Sequence, residues 1–104
     1  MDVQNFLKPG SGKRTQLASW EALQSHKSAV GHLKLQNLFS INRERFEEYS
    51  IVLEDLLFDY SKNLATERTI ELLVDLAKEC LLPDAIEALF SGAHVNTTEN
   101  RPAL

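Results

Sequence analysis

Apolar residues at helical spacing dominate the second half of the chain, and the clearest pattern follows Thr66. At 100° per residue, the apolar positions after Thr66 cover an arc of roughly 200° of the helix circumference. Thr66 is a good N-cap, and Glu67 adds negative charge to the first turn. So wide an apolar arc needs cover on two sides, which predicts a helix with more than one packing partner. The arc comprises Ile70, Leu72, Leu73, Val74, Leu76, Ala77, Cys80 and Leu81.

Shorter helices are predicted on either side of this one. Leu17 and the apolar positions after it indicate an amphipathic helix over residues 17–27, with Ser19 able to accept the free amide hydrogens at its start. A second cluster ends at Leu38 and Phe39 and predicts short helical turns. Trp20 and Phe39 are the expected core anchors, because large aromatic rings bury much apolar area.

Proline and glycine mark the last helix and the first loop. Pro83 can occupy a first helical turn without losing a hydrogen bond, and Gly92 can end that helix in the left-handed conformation. The cluster Pro9-Gly10-Ser11-Gly12 breaks any helix near the start. We therefore expect residues 1–16 to form a flexible N-terminal arm.

Residues 46–60 are ambiguous by period alone. Their apolar positions fit a helical stripe, but they also alternate as strands do, and the segment is rich in Tyr, Ile, Val and Phe. Glu54-Asp55 could be a turn between two strands, although it lacks the glycine of the commonest two-residue hairpins. The residues alone favour strands only slightly.

Composition indicates one small ordered domain of 104 residues, with 43% hydrophobic and 25% charged side chains. Residues 1–42 carry a net charge of +3 and residues 43–104 a net charge of -7. An acidic body argues against nucleic acid, which requires clustered Lys and Arg. The chain has neither a membrane-length apolar run nor a secretion signal, and Cys80 is its single cysteine. We therefore expect a cytoplasmic protein that binds no membrane.

Candidate chemistry is sparse. Lys62, beside Ser61 and Asn63, could contact a phosphate, but pairing with a carboxylate such as Asp59 is the preferred interpretation. His26, His32 and His94 lack the spacing of metal ligands, and Cys80 is interpreted as a small buried apolar residue. The sequence therefore predicts no catalytic, substrate-binding or metal-binding residue and no cofactor.

Three blocks resemble one family. The string DYSKN at Asp59 to Asn63, the Phe90-Ser91-Gly92 block and VNTTENRPAL at Val95 to Leu104 are similar to the N-terminal part of the glucose-6-phosphate isomerases, also called phosphoglucose isomerases. Trp20, Leu38-Phe39 and Arg45-Phe46 look like the lead-in of that family. The resemblance covers residue 17 to the end, with Pro102 as a departure where many members have a residue such as Ala.

The resemblance implies a fold and an activity. It implies a mainly helical α+β segment, with short helices flanking a small β-hairpin at about residues 47–61, cut from a larger αβα sandwich enzyme. That enzyme interconverts glucose 6-phosphate and fructose 6-phosphate in glycolysis and gluconeogenesis. In the family a glutamate moves the proton, an arginine steadies the developing charge, a Ser/Thr-rich loop holds the phosphate and the partner subunit contributes a histidine. The resemblance implies that all of these lie downstream of this chain.

Two functions remain open. In the first, residues 17–104 are the N-terminal segment of the isomerase, truncated before the sugar-isomerase domains and inactive alone. Its partners would be the rest of the isomerase chain and a homodimer partner, with the sugar phosphate bound only by the full-length enzyme. Thr98 as a cap and Pro102 in a first turn predict that a further helix starts at the end of the chain. In the second, the chain is a stand-alone helical interaction module that binds through the apolar face of residues 70–90.

Overall fold

Within residues 14–94 and 99–103, which the computed structural model describes, the chain is mainly helical with one small hairpin. This confirms the predicted α+β class. Most of the predicted arm, residues 1–13, lies outside the described residues. Its last three residues, Arg14–Gln16, form a single 3-10 turn. The elements that follow are α1 (Ala18–Val30), α2 (Leu35–Ile41), α3 (Arg45–Glu48), β1 (Ser50–Leu53), β2 (Leu56–Asp59), α4 (Glu67–Glu79) and α5 (Leu82–Phe90).

Helix α4 begins as the sequence predicts. Thr66 is its N-cap, and its hydroxyl accepts the Thr69 amide hydrogen at 3.4 Å. The Thr66 amide in turn donates to Thr69 Oγ1 at 2.9 Å, which completes a reciprocal capping box. The single fully buried apolar position of this helix is Leu72, with 4% of its surface exposed.

Helix α1 packs against α4 and runs in the opposite direction. Near one end of the pair Ser19 meets Glu79, and near the other end His26 Nε2 lies 2.6 Å from Thr69 Oγ1. The helix extends three residues beyond the predicted end and stops before Gly31. A Cβ atom at Gly31 would lie 2.8 Å from the Lys27 carbonyl oxygen, so a side chain there would require the backbone to shift.

The predicted cap of α1 is wrong. Leu17 is the N-cap residue and makes no side-chain cap, whereas Ser19 lies inside the first turn. Its amide donates to Glu79 Oε1 at 3.0 Å, and its buried hydroxyl has no hydrogen-bond partner among the described residues. A carboxylate from α4 therefore replaces the local cap, which sequence spacing could not reveal.

The strand interpretation is confirmed for Ser50–Leu53 and Leu56–Asp59, whereas residues 46–48 belong to helix α3, so the hairpin is shorter than the predicted range of about 47–61. Strands β1 and β2 pair antiparallel with Ile51 opposite Phe58 and Val52 opposite Leu57. The turn is Glu54-Asp55, as the sequence suggested. In place of glycine, Glu54 itself adopts the left-handed conformation, with φ of 53°.

The connection from α4 to α5 is tight, since Leu81 adopts φ of 57° between the two helices. Pro83 lies in the first turn of α5, and Gly92 follows that helix with φ of 84°, both as predicted. Cys80 lies at the C-cap of α4 and is half-buried rather than buried. The predicted last helix is not formed at residues 99–103, and its expected cap, Thr98, lies outside the described residues.

The apolar core of the described residues is small. It consists of Leu38, Ala65 and Leu72. Trp20 and Phe39, the expected core anchors, are only half-buried. The ring of Phe39 faces the guanidinium of a buried arginine, Arg45, at 5.6 Å from its centroid.

Candidate functional site

The most deeply buried charge among the described residues is Arg45, with 3% of its surface exposed. It lies on the short helix α3, and its side chain crosses to the loop between the hairpin and α4. Nε donates to the Ser61 carbonyl oxygen at 2.8 Å, and Nη2 donates to the carbonyl oxygens of Asn63 and Ala65, each at 2.9 Å. The guanidinium thereby satisfies three backbone acceptors at once.

Two aromatic rings complete the surroundings of this guanidinium. Its Cζ atom lies 4.3 Å from the ring centroid of Tyr49 and 5.6 Å from that of Phe39, both within cation–π range. We call the three carbonyl oxygens and two rings around Arg45 the carbonyl cage. The ion pairs found among the described residues involve other side chains, so the charge of Arg45 is balanced by backbone dipoles and ring faces.

A second group of polar contacts, between Ser61 and Asp59, lies at the start of the same loop. Ser61 has 1% of its surface exposed, and both its amide and its hydroxyl donate to Asp59 Oδ1, at 2.9 Å and 2.6 Å. The side-chain hydrogen bond from Ser61, followed by the backbone one, lowers the pKa of Asp59 below its ordinary value, and the nearby charge of Lys62 adds a smaller effect.

The preferred pairing of Lys62 with Asp59 is therefore wrong as a direct contact. Ser61 binds the Asp59 carboxylate instead, because it follows Asp59 by two residues and supplies two hydrogen-bond donors in a tight turn. Lys62 itself is exposed. The alternative of a phosphate contact finds no support, since the loop turns three carbonyl oxygens inward to a cation.

Two of the three histidines, His26 and His94, lie within hydrogen-bond distance of other side chains. His26 bridges α1 and the first turn of α4 through Thr69, and His94 Nδ1 lies 3.3 Å from Asn100 Oδ1. Over the ranges 14–94 and 99–103, no group of three or more His, Cys, Asp or Glu side chains could hold a metal ion. No described helix is long and apolar enough to cross a membrane.

The hairpin presents an unusual surface. All six of its large apolar side chains are more than half exposed, up to 71% at Val52 and Leu56. Because paired residues share a face, Ile51 and Phe58 lie on one face of the hairpin and Val52 and Leu57 on the other. We call this set the hairpin surface: Ile51, Val52, Leu53, Leu56, Leu57 and Phe58.

Two grooves separate the hairpin from α4. The first has a volume of about 420 Å³, and its lining is mostly apolar, including Ile51, Phe58 and Leu73. The second has a volume of about 650 Å³ and carries four carboxylates beside the two tyrosines. Both share Tyr60 and Ile70, so they are continuous. Helix α1 packs along α4, and α5 contacts it after a tight turn, yet Leu73 and Val74 of α4 remain nearly half exposed.

The polar residues near the end of the chain include one ion pair. Arg101 Nε donates to Glu99 Oε2, and both side chains are exposed. The helix that Thr98 was expected to cap is not formed at these residues. An exposed pair of this kind contributes little stability.

Sequence reasoning missed the carbonyl cage. Arg45 was noted only as part of a family resemblance, and its charge gave no reason to expect burial. The available signal was the short spacing of Phe39, Arg45 and Tyr49, which brings two rings and a cation together once α2 and α3 fold back on each other.

A comparison with known protein families finds one match, near the end of the chain. The model of the phosphoglucose isomerase family matches residues 59–104. The match begins at Asp59, the residue that closes the loop beside the carbonyl cage, and it includes α4 and α5. The expected resemblance over residues 17–58 stays a prediction. The match covers just under half of the chain and supports its interpretation as a fragment of a glucose-6-phosphate isomerase.

Proposed function

We propose that this chain is a structural, non-catalytic segment of a glucose-6-phosphate isomerase. The whole enzyme would interconvert glucose 6-phosphate and fructose 6-phosphate in the cytoplasm, and residues 17–104 would support its sugar-isomerase domains. The family match at residues 59–104 supports the enzyme. The observation that carries the structural role is the hairpin surface, because six large apolar side chains exposed together mark a surface that another part of a protein covers.

The energetics of a small hairpin support the same role. A two-stranded hairpin is marginally stable at best on its own and needs a further strand or a packed face. Strands β1 and β2 pair only with each other among the described residues. On this proposal the rest of the isomerase chain, or its homodimer partner, covers the hairpin and the open side of α4.

The experiment is complementation in trans. The isomerase from the same source is prepared without this segment, and the 104-residue chain is added back while sugar-phosphate isomerisation is followed. We expect the chain alone to give no turnover and the mixture to recover activity. Turnover by the chain alone, or a mixture that is no more active than the shortened isomerase, would contradict the proposal.

Two substitution sets make the experiment specific. The pair Val52→Asp and Leu57→Asp places charge on one face of the hairpin and should abolish recovery. Ile41→Asp is the matched control, because Ile41 is also apolar and 81% exposed but lies on α2 away from the hairpin. Recovery that is lost equally with the control would mean that any added charge disrupts the chain.

One observation favours the second candidate function, a stand-alone interaction module. Ile86 and Phe90 are exposed on one side of α5, and Leu73 and Val74 are nearly half exposed on α4. If this face binds a separate partner, Phe90→Asp should abolish that binding and leave complementation of the isomerase unchanged.

A further inference from the structure

The loop at residues 61–65 turns alternate carbonyl groups toward one point. The oxygens of Ser61, Asn63 and Ala65 all accept from the same guanidinium, at distances between 2.8 and 2.9 Å. Converging carbonyl dipoles make a site of negative potential, which favours a cation with several donors in one plane.

The loop has internal bonds that do not depend on its occupant. The Ala65 amide donates to the Asn63 carbonyl oxygen at 2.8 Å, and the Asn63 amide donates to the Tyr60 carbonyl oxygen at 3.2 Å. The two bonds from Ser61 to Asp59 fix the other end. The acceptors of the cage are therefore held in place largely by the loop itself.

The rings select the shape of the cation. Tyr49 and Phe39 lie 4.3 Å and 5.6 Å from the guanidinium carbon, so a flat and weakly hydrated ion can contact ring faces while its edges donate to the carbonyl oxygens. An ammonium ion is compact and strongly hydrated, and it fits such a cage poorly.

We propose that the carbonyl cage is a built binding site for a guanidinium group, that the side chain of Arg45 is its resident ligand, and that free guanidinium ion occupies the cage when this side chain is shortened. The DYSKN segment thus contributes a cation site to the fold, in contrast to the phosphate contact considered for Lys62. The proposal concerns the chain itself and does not depend on the isomerase assignment.

The test is chemical rescue of Arg45→Ala in the 104-residue chain. Unfolding by urea is followed by circular dichroism in low concentrations of guanidinium chloride and in sodium chloride of equal ionic strength. Guanidinium that binds only the folded variant should raise its ratio of folded to unfolded molecules about tenfold at ten times the dissociation constant. The wild-type chain should gain nothing, because its cage is full.

Arg45→Lys is the matched control, since it keeps the charge and fills the path to the cage with its own stem. We expect guanidinium to give it no comparable gain. If Arg45→Ala does not fold in sodium chloride, recovery of its helical signal in guanidinium supports the site. Three results would each contradict the proposal. Arg45→Ala could be as stable as the wild type, guanidinium could stabilise it no more than sodium does, or guanidinium could stabilise Arg45→Lys as much as Arg45→Ala.

The location is checked by nuclear magnetic resonance. Guanidinium added to Arg45→Ala should shift the amide signals of residues 61–65 and the ring signals of Tyr49 and Phe39, and inorganic phosphate should leave them unchanged. Shifts spread evenly over the chain would indicate weak denaturant binding and contradict the proposal.

Discussion

The carbonyl cage and the hairpin surface lie next to each other in the chain and reverse the usual distribution of polar and apolar groups. Around Arg45 and Ser61 the buried side chains are polar, and each finds hydrogen-bond partners within the chain. On the hairpin the side chains are apolar, and they are exposed. The buried polar side chains of the cage region are therefore satisfied by the chain itself, whereas the hairpin requires a surface that the described residues do not supply.

The largest contrast is expected between a core leucine and a hairpin leucine. Leu72→Ala removes a side chain packed between α4 and α1, and it should lower the free energy of unfolding by about 3 kcal/mol. Leu57→Ala, at 56% exposure, should change it by less than about 0.5 kcal/mol. Urea unfolding of the two variants measures both values, and equal losses would mean that the hairpin is already packed within this chain.

Removing the guanidinium from the carbonyl cage should have the next largest effect on stability. Arg45→Met keeps an apolar stem of similar length but removes the donor to the carbonyl oxygens of Ser61 and Ala65, while that of Asn63 keeps only the Ala65 amide, so we expect a loss of about 2 kcal/mol. Arg43→Met is the control, because Arg43 is exposed two residues away. Urea unfolding measures both variants, because urea carries no charge that could compete with the Arg45 guanidinium. A change as small as that of the control would remove the cage from the account of stability.

A smaller effect is expected at the start of α4. Thr66→Ala removes the hydroxyl that accepts the Thr69 amide hydrogen and should cost about 1 kcal/mol, whereas Thr66→Ser should retain most of the stability. The measurement is again urea unfolding. Similar losses in both variants would point to the methyl group of Thr66 and not to its capping hydroxyl.

The smallest prediction is a pH dependence at Asp59. Its pKa is lower in the folded chain, so its contribution to stability is fully present above the ordinary aspartate pKa, near pH 4, and is lost as the pH falls through the folded value. The carboxylate is exposed and other carboxylates titrate nearby, so the effect is read as a difference. Asp59→Asn should flatten the acid limb of the wild-type stability curve, and parallel curves would contradict this origin.

Local rules predicted those parts of the fold that depend on neighbouring residues. Thr66 and Pro83 mark helix starts because capping and proline geometry act within one turn. The hairpin turn at Glu54-Asp55 was placed correctly, although the φ of Glu54 was not foreseen. The family resemblance favoured strands over a helix at residues 46–60, where the residues alone favoured strands only slightly.

Contacts between distant residues were beyond the sequence. The amide of Ser19 is bound by Glu79, sixty positions away, and Arg45 reaches carbonyl oxygens whose positions depend on a folded loop. Backbone acceptors have no signature in the sequence, because every residue carries one. The half-buried state of Trp20 and Phe39 has the same origin, since aromatic spacing does not reveal whether enough chain surrounds a ring.

If the rest of an isomerase covers the hairpin surface, Val52 should be accessible in the isolated chain and protected in the complete enzyme. The measurement is labelling of Val52→Cys with a maleimide, in a background in which Cys80 is replaced by Ser. We predict rapid labelling in the 104-residue chain, where Val52 is 71% exposed, and strongly slowed labelling when the same segment is part of the complete isomerase. Equal rates in the two proteins would contradict the account.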